Sequence, residues 1–443
     1  MTRPRVFFRP SRLAIVIGLA WLAMLPHARE GRAATLAVKA EPGAFAAAVA
    51  KAKPGDHLIL APGQYRGGVV IDKPLTVEGP ALDGQDRNAA IIDGGGSGRV
   101  LSVTAPNVTV RNLVLRHSGW TNLDFDAGLY VESTADHFVG EDNHTEENLF
   151  GIVIRGAQNV TLRRNIIRNR SDRYETELGD GIYLYDSNND IVEDNDLSGG
   201  RDGIFAQAAH HNLLKSNRMA HVRFAIHYMY CNDNRIIGNL SVGNSIGYAL
   251  MYSNQIEVRE NVSIGDRDHG LMFHTIYHST MADNYIRGTK DKCVFVYTAA
   301  KNVISGNRIE NCPIGMHFTG GSENNQVFDN SFINNQTQVK YTGTTYYEWS
   351  KDGRGNYWSD NPAFDMTGQG TASTAYRPNS VMEKLVWRYP LAKSLMSSPV
   401  MEALRFAQSQ FPALMPGGVI DSHPLMAPPP LPAGLPTLPE SGS

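Results

Sequence analysis

Residues 212–261 read Asn212-Leu-Leu-Lys-Ser-Asn217-Arg-Met-Ala-His-Val-Arg-Phe-Ala-Ile-His227-Tyr-Met-Tyr-Cys-Asn-Asp-Asn234-Arg-Ile-Ile-Gly-Asn239-Leu-Ser-Val-Gly-Asn-Ser-Ile-Gly-Tyr-Ala-Leu-Met251-Tyr-Ser-Asn-Gln-Ile-Glu-Val-Arg-Glu-Asn261. Three asparagines in it, Asn217, Asn239 and Asn261, stand 22 residues apart. The series extends both ways, through Asn143, Asn165 and Asn195 on one side and Asn284, Asn307 and Asn330 on the other. Its spacings are 22, 30, 22, 22, 22, 23, 23 and 23. The one long step contains the polar run Arg170 to Leu178, read as a loop inserted between rungs. Three residues before each asparagine from Asn165 onward lies an apolar residue: Leu162, Val192, Leu214, Ile236, Val258, Met281, Ile304 and Val327.

Segments such as Gly151-Ile-Val-Ile154, Gly181-Ile-Tyr-Leu184, Gly203-Ile-Phe-Ala206 and Gly270-Leu-Met-Phe273 alternate with a period of two, the mark of a strand. A repeat of 22–23 residues holding short strands and polar turns leaves little room for helix. The expectation is therefore an all-β, single-stranded parallel β-helix, rising about 4.8 Å per rung. Parallel crossovers favour the right hand, so the coil is expected to be right-handed. Asparagine suits left-handed turns and stacked amide ladders, so the asparagines are read as structural rather than catalytic.

Working outward, residues 58–340 are assigned to the coil and residues 34–57 to an N-terminal cap. The helix formers Phe45 to Ala52, ending before Pro54-Gly55, would cover the first rung. Residues 341–426, rich in Tyr and Trp and partly helical, form a C-terminal capping or docking region. There Ser380 and Glu383 make a capping box before Leu385-Val-Trp387. A second helix after Pro399 would place Val400, Leu404, Ala407 and Phe411 on one face. Trp387, Val400, Leu404 and Phe411 are the expected partner-docking residues; the competing reading is a helix packed on the open end of the coil. Residues 427–443 are Pro-rich and expected to be disordered.

Residues 1–33 carry a signal-peptide pattern. Arg3, Arg5, Arg9 and Arg12 precede the apolar run Leu13 to Leu25, and small residues follow at Gly31 and Ala33. The expected location is the periplasm. With 19% charged residues and a net charge of −3, the chain lacks the basic excess of a nucleic-acid binder. Cys231, Cys293 and Cys312 are too few for a disulfide scaffold and are read as small buried hydrophobes.

Aligning the strands gives two outward columns. The first runs Tyr130, Val153, Tyr183, Phe205, His227, Ala249, Met272, Phe295, His317; the second runs Glu132, Arg155, Tyr185, Gln207, Met229, Met251, His274, Tyr297, Thr319. Thioether and imidazole are soft or borderline ligands suited to copper, especially Cu(I). His227, Met229, Met251, Met272, His274 and His317 are the candidate metal residues, set against a second reading in which the C-terminal segment covers this face. A separate constellation pairs Asp180 and Asp202 with Arg201 and Arg223, and stacks Arg267, Asp268 and His269 on Lys290, Asp291 and Lys292. A charge ladder explains it most simply. Asp266-Arg-Asp-His269 is also faintly similar to the Asp/His motifs of uronan epimerases, so a polysaccharide-modifying or carbohydrate-binding β-helix is the alternative.

Five C-terminal segments carry a closer resemblance: Gly355-Asn-Tyr-Trp-Ser-Asp360, Tyr376-Arg-Pro-Asn379, Val386-Trp-Arg-Tyr-Pro390, Ala407-Gln-Ser-Gln-Phe-Pro412 and Pro416-Gly-Gly-Val-Ile-Asp-Ser-His-Pro-Leu-Met426. With the rungs, they resemble the NosD family of periplasmic maturation factors, over the mature chain to about residue 426. The last three segments are the specific ones. The resemblance implies a non-catalytic scaffold that works with an ABC-type ATPase and its membrane permease, touching the membrane only through the permease. It implies transient handling of copper, a copper chaperone lipoprotein as a partner, and apo nitrous oxide reductase as the recipient whose copper-sulfide centre is assembled. It fixes no individual copper ligand.

Overall fold

The computed structural model describes residues 33–438, apart from 83–87, 342, 380, 390, 393–397, 401–402, 404–405 and 408–416. The signal-peptide expectation for residues 1–33 falls almost entirely outside these. The chain is an all-β parallel β-helix. Among the described residues, three parallel sheets run its length, of 13, 13 and 12 strands. Sheet 1 runs from Thr35–Val38 to Gln326–Phe328, sheet 2 from Gly63–Arg66 to Tyr357–Trp358, and sheet 3 from Val69–Ile71 to Thr337–Tyr341. One turn of the chain supplies one strand to each, as Thr161–Arg163, Ile166–Arg168 and Ile182–Tyr185 do. Residues 170–178 are indeed the insertion between such strands, at the corner from sheet 2 to sheet 3.

The apolar column from Leu162 to Val327 points inward and is at most 1% exposed. The asparagine column lies at the corner between sheets 1 and 2. Each backbone N–H and Nδ2 of one asparagine donates to Oδ1 of the next, as Asn217 does to Asn239 at 2.9 and 3.0 Å. Nδ2 also donates to a carbonyl of the preceding turn, as Asn217 does to Val192. The left-handed residue at this corner is the one before the asparagine, for example Arg164, Asp194, Ser216 and Glu260. The asparagines are therefore selected for their side-chain hydrogen bonds, not for their backbone angles. Glycine opens many sheet 3 strands for a steric reason: a Cβ on Gly270 would sit 2.2 Å from Ile286 Cγ2 and 2.9 Å from the Cys293 carbonyl.

Both ends reach past the 58–340 span. Thr35–Val38 pairs with His57–Leu60, and Tyr357–Trp358 pairs with Ser331–Ile333. Helix α1 (Ala44–Lys51) buries Phe45 and Val49 over the first turn. At the other end Trp358 stacks on Phe332 at 4.4 Å, and Trp349 is 1% exposed. The strand Gly418–Ile420 returns to pair with Tyr346–Glu348. Asp421 then ends the asparagine column, accepting from Asn356 N and Trp358 Nε1, both at 2.7 Å. A Cβ on Gly355 would lie 1.8 Å from Asp421 Oδ1, so this plug requires glycine there.

One expectation changes. Cys293 and Cys312 form a disulfide, and only Cys231 is a free buried thiol. Part of the Pro-rich tail is described, and Leu435 packs on Leu240, Val262 and Tyr285 of sheet 2. Helix α2 (Val381–Arg388) forms where the capping box suggested; Ser380 itself lies outside the described residues. Among the described residues, no helix is long and apolar enough to cross a membrane.

Candidate functional site: an outward row of methionine and histidine

Alternation in sheet 3 sends every second side chain outward, and parallel register stacks like positions from turn to turn. The observed register joins Phe205, His227, Ala249, Met272, Phe295 and His317 in one row. Two residues further along the strands, Gln207, Met229, Met251, His274 and Tyr297 form a second row. Five of the six candidate metal residues thus lie on the adjacent strands Phe224–Met229, Ile246–Asn254 and His269–Tyr277. Met251 is central, between Met229 and His274. His317 stands apart, separated from Met272 by Phe295.

The two rows differ in exposure. Met272 is buried at 7% and packs with Ile246 and Ala249, while Met251, Phe224 and Phe295 pack partly buried around them. Met229, Met251 and His274 are half-buried. The His274 ring lies between Tyr252 and Tyr297, at centroid distances of 5.0 and 4.8 Å. Burial holds its pKa below the ordinary histidine value, favouring the neutral ring that can bind a metal. His317 lies 5.1 Å from Phe295, and its Nδ1 is buried without a hydrogen-bond partner. Burial, helped by Lys340 and Lys292, pushes its pKa down to about 4.

His227 is 7% exposed and sits over a buried carboxylate. Its Nδ1 lies 3.1 Å from Asp202 Oδ2. Asp202 also accepts Arg223 Nε and Nη2 at 2.8 and 2.6 Å. Burial alone would raise the pKa of Asp202, but the hydrogen bonds from His227 and Arg223 outweigh it and hold the carboxyl low. Asp180, one turn earlier, accepts Arg201 Nε and Nη2, each at 3.1 Å. Burial lifts its pKa to about 7 against the pull of Arg201. The Asp180–Asp202 constellation is thus a ladder of ion pairs, as read from the sequence.

The Asp266-Arg-Asp-His269 segment does not converge into an acid–base pair. Asp266 is fully buried in a turn, bonded by Ser241 and Ser263. Asp268 pairs with Arg267, and His269 Nδ1 contacts the Asp268 carbonyl. Among the described residues, no three His, Cys, Asp or Glu side chains gather as a metal site. Of the docking residues, Trp387 is half-buried on α2 and Val400 is 67% exposed; Leu404 and Phe411 lie outside the described residues. Phe364, Met366, Leu391 and Phe406 are also largely exposed in this region.

Two features of the site escaped the sequence reading. The first is the pair of exposed tyrosines Tyr230 and Tyr252, which with Tyr297 rim the methionines. Column alignment held the signal for Tyr297, which follows His274 in the second row. The second is the Asp202–His227 contact. Its separation of 25 residues, one turn plus three, is the only signal a sequence could offer.

A family model described as periplasmic copper-binding protein (NosD) matches residues 168–363. A Pseudomonas aeruginosa protein named probable ABC transporter binding protein NosD is 42% identical over 402 residues, covering 86% of this chain and 92% of that relative. Its namesake from Stutzerimonas stutzeri is 39% identical over 381 residues, covering 83% and 86%. Among solved structures, the A-module of the Azotobacter vinelandii mannuronan C-5 epimerase AlgE6 superposes with a TM-score of 0.51 at 15% identity, covering 71% of this chain and 92% of that one. PfbA, a surface adhesin of Streptococcus pneumoniae, gives 0.52 at 11% identity, covering 68% and 88%. At such identities an epimerase and an adhesin share the fold alone. Identity of 39–42% over most of the chain carries more: the chain belongs to the NosD family.

Proposed function

We propose that this chain is a non-catalytic, periplasmic copper-handling scaffold. It receives copper transiently as Cu(I) on the outward face of sheet 3 and presents it for assembly of the copper-sulfide centre of nitrous oxide reductase. The observation that carries this reading is the row Met229, Met251, His274, from three adjacent strands, with Met272 two residues from His274. Two or three thioethers with a neutral imidazole make a soft donor set that prefers Cu(I) to hard cations. Half-exposure suits a site that must load and unload. The family description and the relatives' names, which point to copper and to an ABC transporter, support the same reading. His227 borders the group, and His317 marks a later point along the face.

The C-terminal region, with Trp387 and the exposed Val400, is the proposed dock for the permease of an ABC-type transporter driven by its ATPase. Leu404 and Phe411 would extend that dock. A copper chaperone lipoprotein would supply the metal and apo nitrous oxide reductase would accept it.

The test is a Cu(I) titration of the chain lacking residues 1–33, against a competing chelator. The comparison is a variant with Met229, Met251, Met272 and His274 all changed to Ala. Tight binding by the wild type that falls at least about tenfold in the variant is expected. Equal binding by both, or none by either, would overturn direct delivery from this face.

A further inference from the structure

The turn that carries Asp202 is built twice, and the two copies differ in one hydrogen bond; Asp202 also lies 3.7 Å from Arg201 Nε, an ion pair that Asp180 lacks. Asp180 accepts Arg201 Nε and Nη2 and, at 3.3 Å, the backbone N–H of Asp202. Asp202 accepts Arg223 Nε and Nη2 and, at 3.3 Å, the backbone N–H of Phe224. Both carboxylates are at most 1% exposed. The first copy shows that an arginine fork and a backbone N–H suffice to hold this corner. Asp202 has a further partner, His227 Nδ1 at 3.1 Å. The register places Phe205 at the matching position of the earlier turn, where no such bond can form.

The ring of His227 is fixed on two more sides. It stacks on Phe205 at 4.5 Å and 16°, and meets the edge of Phe224 at 5.1 Å and 88°. An ionised carboxylate only accepts, so its ring partner must be the N–H donor. Nδ1 then carries the proton, and the lone pair left for a ligand is on Nε2. Metal-binding histidines commonly hold their second nitrogen against a carboxylate in this way, which fixes tautomer and ring orientation.

We infer that Asp202 is a positioning residue: through Nδ1 it locks His227 in the tautomer that offers Nε2 to a soft metal ion beside Ala249 and Met272. This rests on the copper reading above, and it extends the ligand set to His227 through a residue that touches no metal. Arg223 acts one step further back, by fixing the carboxylate.

Two measurements test it. The first is the 15N spectrum of the metal-free, histidine-labelled protein at pH 8, with the His227 signals assigned by their loss in His227→Gln. A fixed Nδ1–H, Nε2-bare tautomer in the wild type is expected. An Nε2–H tautomer, an averaged ring or an imidazolium would overturn the inference, whether or not copper binds. The second is Cu(I) affinity in Asp202→Asn beside Asp180→Asn, which removes an equally buried carboxylate from the twin turn. The expected loss is about 10–100-fold for Asp202→Asn and under about twofold for Asp180→Asn. Equal affinities in the two variants, with wild-type binding intact, would overturn the positioning role alone. Absence of copper binding by the wild type would overturn the functional reading and leave the tautomer measurement to decide Asp202. The spectrum needs no variant to fold beyond the assignment control, so a destabilised Asp202→Asn would not blunt the test.

Discussion

The corner between sheets 1 and 2 and the outward face of sheet 3 are made by the same turns of chain, yet they obey opposite rules. At the corner, the asparagine column runs from Asn143 to Asn356 without substitution, each side chain bonding the next. On the outward face, the same turns present Tyr183, Phe205, His227, Ala249, Met272, Phe295 and His317 in succession. The corner is repetitive because each amide satisfies buried backbone groups of two neighbouring turns, which no other side chain of that size does. The outward face is irregular because the coil does not need it. Packing accounts for Met272, buried against Ile246 and Ala249, but not for the half-exposed Met229 and His274 beside it, whereas hydrogen bonding accounts for every asparagine at the corner.

Breaking the corner should have the largest effect. Asn239 Oδ1 accepts from Asn217 N and Nδ2, and its Nδ2 donates to Leu214 O and Asn261 Oδ1. Asn239→Leu leaves several of these groups buried and unpaired, for an expected loss of about 3–6 kcal/mol by urea unfolding. Copper affinity of the fraction still folded should be unchanged.

Repairing an irregular corner should have the next largest effect, with a defined pH dependence. Asp266 takes the N–H of Asn244, a place that asparagine fills on other turns, and burial pushes its pKa up to about 7. A raised carboxyl pKa means that the folded state holds the proton more tightly than the unfolded chain. Its contribution to stability is complete below about pH 4 and is lost as pH rises through 7. Asp266→Asn removes that loss. The variant should be more stable than the wild type by about 1–3 kcal/mol at pH 8, and the advantage should vanish by pH 4. An advantage that grows as pH falls would reverse the argument.

Changes on the outward face should barely touch stability. Met251→Ala should cost about 1 kcal/mol or less, because the side chain is only half-buried, yet it should weaken Cu(I) binding more than any other single change. His317→Ala is the smallest expected effect. Phe295 separates His317 from Met272, so copper affinity at the Met251 group should stay within about twofold. A large loss would mean that the metal face extends further than three strands.

The asparagine spacing and the strand alternation made the coil legible, because both report local geometry repeated many times. The outward columns followed from the same register. Its ends were harder to read: Thr35–Val38 is a strand only because His57–Leu60 pairs with it, and Tyr357–Trp358 only because Ser331–Ile333 does. The Cys293–Cys312 disulfide was missed because its separation of 19 residues matches no turn of 22 or 23. Cys293 also stands where other turns place a glycine, Gly270 among them, at a position whose space neighbouring side chains fill on those turns, so the repeat gives no hint of a cysteine pair there. Asp421 was hidden for a similar reason. Its partner Asn356 lies 65 residues away, across a segment with no repeat to count.

The most direct test of the central claim is to locate the metal. Crystals of the protein lacking residues 1–33, loaded anaerobically with Cu(I), would be measured on both sides of the copper absorption edge. The expected result is one anomalous peak on the outward face of sheet 3, within bonding distance of Met251 and of Met229 or His274. A peak at Cys231, in the C-terminal region or elsewhere, with that face empty, would contradict the account.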